Sequence, residues 1–175
     1  FEHRKDVKAE EYLEMIRLKT SVLLAGALKI GAILGGASEE DAQLLYDFGV
    51  RMGLAFQLQD DYLDVYGDPA VFGKKIGGDI LCNKKTYMLI TALEKADAQT
   101  RRELLDWIAA SNYVPSSKIE AVTAIYNKVG IGEICQQKID QYYEEAKALL
   151  EKVSVEDALK QNLMDFVLKL MNRKL

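Results

Sequence analysis

Only two prolines, Pro69 and Pro115, punctuate the 175 residues of this chain. Nothing else in the sequence constrains its fold as strongly. Proline ends helices because it lacks an amide donor and clashes with the preceding turn. Long proline-free stretches with apolar residues every three or four positions form amphipathic helices. A first helix is expected from Glu10 to Leu34, closing at Gly35-Gly36. Ser38 and Asp41 make a capping-box start for a second, running to Tyr66 and stopped by Gly67-Asp68-Pro69. A Gly-rich loop then extends to Cys82, with Gly73, Gly77 and Gly78 inside it. Connections of that length in a compact domain are usually functional or disordered.

Shorter helices are expected over Asn83–Ala96 and Gln99–Ala110. Ser117 and Glu120 cap another that runs towards Val153, with a weak point at Gly130 and Gly132. Ser154 and Asp157 cap the last, whose Leu159, Leu163, Phe166, Val167 and Leu170 keep the spacing of one buried face. No strand-like alternation survives, so the fold class is all-α. The most apolar stretch, Ser21–Ala37, carries Lys29 and is shorter than the ~20 residues a membrane span needs. It reads as a buried core helix.

Composition narrows the chemistry. The net charge is −4, from 27 acidic and 23 basic residues, which argues against a nucleic-acid partner. The two cysteines, Cys82 and Cys135, are too far apart for a CxxC motif, and the single histidine is His3 at the extreme N-terminus. A zinc site and a Ser/His/Asp triad are thereby excluded. No secretory signal is visible, so a reducing, cytoplasmic setting is expected. The chain opens on Phe1, as a piece of a longer polypeptide would.

The second helix contains Phe56-Gln57-Leu58-Gln59-Asp60-Asp61-Tyr62-Leu63-Asp64. At about 100° per residue, Gln57, Asp60, Asp61 and Asp64 share one stripe. The rest of the circumference is nearly all apolar, which buries the helix and turns the three carboxylates towards an internal cleft. No Lys or Arg lies between Arg51 and Lys74. Buried carboxylates without a cation are costly, so a hard divalent ion such as Mg²⁺ is the expected partner. Lys74 and Lys75 lie in the Gly-rich loop, followed by Asp79, and Lys84 and Lys85 open the next helix. Glycines permit close approach to a ligand, and lysines serve as point charges for phosphate. On the first helix, Tyr12, Met15, Ile16, Lys19, Leu23, Gly26 and Ile30 form one stripe that Lys19 interrupts. Lys19 either snorkels to an edge or projects into a cleft, with Thr20 beside it.

These segments together resemble the trans-isoprenyl diphosphate synthases, the farnesyl, geranylgeranyl and related polyprenyl synthases. The resemblance rests on EEYLEMIRLKT (Glu10–Thr20), GLAFQLQDDYLDVYGD (Gly53–Asp68) and GKKIGGDILCNKK (Gly73–Lys85). FQxQDDxxD is similar to the family's second aspartate-rich motif. The resemblance implies a helical bundle around a central cavity, of which residues 1–175 form the C-terminal portion. It also implies elongation of an allylic diphosphate by isopentenyl diphosphate in a Mg²⁺-dependent homodimer. Carried over by position, Asp60, Asp61 and Asp64 are metal ligands and Asp79 supports them. Lys19, Lys75 and Lys84 contact the allylic diphosphate, and Thr20, Gln57 and Phe56 line the reacting centre.

The family uses two aspartate-rich motifs, and only the second is present. The parent is therefore expected to be the enzyme and the isolated chain to be inactive. Two alternatives stay open. One is a class I terpene cyclase on the same scaffold, although the Asn/Ser/Glu motif such cyclases carry is not found. The other is a non-catalytic helical subunit that partners an active synthase.

Overall fold

The computed structural model describes residues 4, 6–68 and 76–171, the last two without their side chains. Every regular element among them is helical: α1 (Ala9–Ile16), a π-helical turn (Arg17–Ser21), α2 (Val22–Leu34), α3 (Glu39–Tyr66), α4 (Gly78–Leu81), α5 (Tyr87–Lys95), α6 (Ala98–Ala109), α7 (Pro115–Val129), α8 (Ile131–Glu151) and α9 (Asp157–Met171). No helix among the described residues is long and apolar enough to cross a membrane. The helices fall into two compact units, one of residues 1–12 and 60–136, the other of residues 13–59 and 137–175.

In the first unit α7 is the hub, packing against α4, α5 and α6. It starts with Pro115 at its first position, where the missing amide costs nothing. The helix therefore begins before Ser117, and the expected Ser117 cap is replaced by the proline. It ends at Gly130 in the left-handed conformation, φ 74°, so the weak point is a true break, with α8 starting at the next residue. Thr86 and Asp97 accept the amides of Leu89 and Thr100 and cap α5 and α6.

In the second unit α2 crosses α3 at very close range. A Cβ placed on Gly53 would lie 2.6 Å from the Ser21 Cα, and one on Gly49 would lie 2.7 Å from the Ala25 Cα. The α3 start is half the expected box. Ser38 Oγ accepts the Asp41 amide at 3.1 Å, but the Asp41 carboxylate turns to the Ser154 amide at 2.8 Å. Ser154 is thus held through its backbone, and α9 begins only at Asp157. The expected Ser154 cap is not the one used.

Two apolar faces differ from expectation. The first helix is interrupted by the π turn, which inserts an extra residue and so rotates the faces of α2 relative to those of α1. Buried positions consequently run Tyr12, Ile16, Ser21, Ala25, with one step of five. Leu23 and Ile30 leave the buried stripe and stand 79% and 60% exposed, as does Leu34 at 83%. The apolar stretch is a core helix on its α3 side only. On α9, Val167 is buried, whereas Leu159 and Phe166 are exposed.

Candidate active site

The acidic end of α3 belongs to the first unit. Burial along the helix runs Leu54, Leu58, Asp61, Val65, a spacing of four, three and four that sets Asp61 on the innermost stripe. Asp61 is fully buried, while Asp60 and Asp64 are half-buried. The cation absent from the neighbouring sequence comes from farther along the chain. Lys84 Nζ donates to Asp61 Oδ1 at 3.0 Å and to Asp79 Oδ2 at 2.7 Å. The second Asp61 oxygen accepts a short hydrogen bond from the buried Tyr12 hydroxyl. In the sequence Tyr12 is one more apolar stripe residue. A buried tyrosine needs a partner for its hydroxyl, which is the one available signal of this role.

Charge and burial compete here. Burial pushes the Asp61 carboxyl upward, and Lys84 and Tyr12 pull it back only in part. Burial opposes the charge on Lys84, but Asp61 and Asp79 outweigh it and hold the ammonium above its ordinary range. Burial also raises Tyr12, keeping it a hydrogen-bond donor.

Asp64 organises the loop that brings Asp79 and Lys84 into place. Its Oδ2 accepts the Asp79 amide at 2.9 Å, and its carbonyl accepts the Gly77 amide at 2.6 Å. Burial raises its carboxyl, and that amide pulls it back only in part. Cys135, buried in the same unit, has its thiol pushed up to about 12 by burial and is inert as a nucleophile. Lys75 lies outside the described residues.

In the second unit, Thr20 sits in the π turn, and its hydroxyl donates to Gln57 Oε1 at 3.3 Å. Lys19 is exposed on that turn, and Phe56 is half-buried beside Gln57. π turns often mark functional positions, yet nothing in RLKTS announces one.

Every carboxylate of the FQxQDDxxD segment offers oxygen only. Among the described residues, no three carboxylate, thiol or imidazole groups gather closely enough to hold a metal by themselves. Carboxylate oxygens are the ligands a hard cation such as Mg²⁺ prefers, and one or two of them with waters and substrate phosphates commonly complete its shell.

The polyprenyl synthetase family model matches residues 1–129. The chain belongs to the polyprenyl synthetase family. A short chain isoprenyl diphosphate synthase of Methanothermobacter thermautotrophicus is 39% identical over 97% of this chain and 52% of its own length. A solved geranylgeranyl pyrophosphate synthase superposes with a TM-score of 0.91 at 43% identity, covering 100% of this chain and 54% of that one. A geranylgeranyl pyrophosphate synthase from Corynebacterium glutamicum, solved with isoprenyl diphosphate and magnesium, gives a TM-score of 0.84 at 29% identity, covering 95% of this chain and 47% of that one. This polyprenyl synthetase chain thus spans about half the length of the relatives it matches.

Proposed function

We propose that this chain carries the second aspartate-rich part of a Mg²⁺-dependent trans-prenyltransferase that joins an allylic diphosphate to isopentenyl diphosphate. The observation that carries the reading is Lys84. Its ammonium, in the turn before α5, is shared by Asp61 and Asp79, in a chain whose family membership independently supports the reading.

Lys84 is 41% exposed, so its ammonium has room to exchange a carboxylate contact for a diphosphate oxygen. Lys19 and Lys75 would add further positive charge for the same group. Asp60, Asp61 and Asp64 would hold Mg²⁺, which supplies electrostatic stabilisation to the departing diphosphate when bound. The Thr20–Gln57 pair would orient polar groups beside the allylic centre, and the Phe56 ring would offer its face to the developing cation. A water-poor site in the complete enzyme would protect that cation from quenching.

The isolated chain is read as inactive and the homodimeric parent as the enzyme. The half-length match to relatives and the exposed Leu23, Ile30 and Leu34 of α2 support this. Those side chains would be covered by the rest of a complete polyprenyl synthetase, and the cytoplasm is the expected setting.

The test is titration calorimetry of inorganic pyrophosphate into the chain expressed together with the other half of a polyprenyl synthetase. Binding should require Mg²⁺ and weaken at least tenfold on Asp60→Ala. Binding indifferent to both Mg²⁺ and this substitution overturns the assignment.

A further inference from the structure

Lys118 lies in α7 and is 1% exposed, among the most deeply buried side chains of the first unit. A buried ammonium is costly unless something fixes it, and no carboxylate among the described residues lies within ion-pair distance. Its Nζ donates to Asn83 Oδ1 at 2.7 Å and sits 4.4 Å from the centroid of the Tyr113 ring. The same Asn83 amide donates from Nδ2 to the Ile108 carbonyl at 3.1 Å. Both ends of the amide are therefore used in a single orientation.

Asn83 is the one non-glycine residue among those described with a left-handed backbone, φ 51°. Asparagine tolerates that region better than most residues, but not freely. The turn it makes is tight. The Asn83 amide reaches the Ile80 carbonyl, the Lys84 amide reaches the Asp79 carbonyl at 2.9 Å, and the Thr86 amide reaches the Lys84 carbonyl at 2.8 Å. The Tyr113 hydroxyl donates to the Leu81 carbonyl at 3.4 Å, holding the other side of the turn. One narrow cavity is lined by Asp79, Asn83, Lys84 and Lys118.

We propose that Lys118 is a positioning residue for Lys84. From the hub helix its ammonium locks the left-handed Asn83 turn, and that turn fixes where Lys84 meets Asp61 and Asp79. A neutral side chain of similar length would fill the space without the cost of a buried charge. What the ammonium adds is a strong bond that only one rotamer of Asn83 can accept. The role in diphosphate binding rests on the prenyltransferase reading above, whereas the lock itself does not.

Two measurements on Lys118→Met, with Asn83→Ala as a second variant should the first fail to fold, test the proposal. Amide hydrogen exchange on this chain reads the lock directly. Protection should fall roughly tenfold at Asn83, Lys84 and Thr86, as loss of a charge-assisted bond implies, with α8 unchanged. Unchanged protection at those three amides, or an equal fall throughout the chain, overturns the lock. Pyrophosphate binding with Mg²⁺, in the presence of the complementary half, reads the consequence. Lys118→Met should weaken it roughly tenfold in the wild-type background and have no effect in a Lys84→Met background. Equal effects in both backgrounds overturn the link to Lys84. Failure of the unsubstituted protein to bind pyrophosphate defeats the prenyltransferase reading instead, and exchange still decides the lock.

Discussion

The Thr20 hydroxyl reaches Gln57 across 3.3 Å because Gly53, one turn earlier on α3, lets the π turn lie almost against the α3 backbone. A methyl group on Gly53 would lie 2.6 Å from the Ser21 Cα, where there is no flexible side-chain end to move aside. Gly53→Ala should therefore force α2 and α3 apart, costing roughly 2–3 kcal/mol as core overpacking does. Urea denaturation measures the loss. Alanine at Gly26, where nothing lies within 4 Å of an added Cβ, is the matched control and should not destabilise. Equal stability of the two variants would remove the crossing from the explanation.

The Asp61–Lys84 pair makes a second expectation. Lys84→Met leaves a fully buried carboxylate with Tyr12 as its remaining direct partner, at a cost of about 1–3 kcal/mol. Adding Asp61→Asn removes the uncompensated buried charge and should recover most of that loss, since deleting both members of such a pair is far milder than stranding the buried one. Chemical denaturation at neutral pH of the wild type, both single variants and the double variant closes the cycle. A double variant less stable than Lys84→Met would show that the pair is not the coupled unit described.

The sequence made the all-helical class and the ends of α3 legible because those depend on local signals: proline scarcity, apolar period and the Ser38 cap. It also placed three aspartates on a mostly buried helix. It could not supply the neutralising cation, since Lys84 lies 23 residues from Asp61 and the turn that delivers it depends on Asn83 and Lys118. The π turn was illegible for a similar reason. Its extra residue goes with a close approach of Ser21 to Gly53 that no local pattern announces, and a straight projection of the helix placed Leu23 inside when it is out. Ser117 and Ser154 carried good capping patterns, but Pro115 starts one helix earlier and Asp41 takes the Ser154 amide for another purpose.

Stability should depend on pH through two aspartates with opposite signs. Burial raises Asp61 above its ordinary value of 3.8. Its contribution is therefore full below 3.8 and is lost as pH rises through the folded value. The Thr100 amide lowers Asp97, which caps α6. That contribution is present above 3.8 and is lost as pH falls through the lowered folded value. Denaturation midpoints across the acidic range should show Asp61→Asn flattening the decline on the rising side and Asp97→Asn flattening the one on the falling side. The same slope in all three proteins would contradict both assignments.

The exposed stripe on α2 gives the last expectation. Leu23, Ile30 and Leu34 lie at intervals of seven and four on one helix face, each more than half exposed, so none contributes much to folding of the chain itself. Leu23→Glu with Ile30→Glu should leave its stability within about 0.5 kcal/mol, as surface changes usually do. If the stripe is where the remainder of a polyprenyl synthetase packs, the same pair of charges must be buried without partners on association, and that is costly. Association with a separately expressed complementary half, measured by analytical ultracentrifugation, should be weakened at least a hundredfold. Enzyme activity regained on mixing should fall with it. A variant that associates as well as the wild type would place the complementary half on some other face.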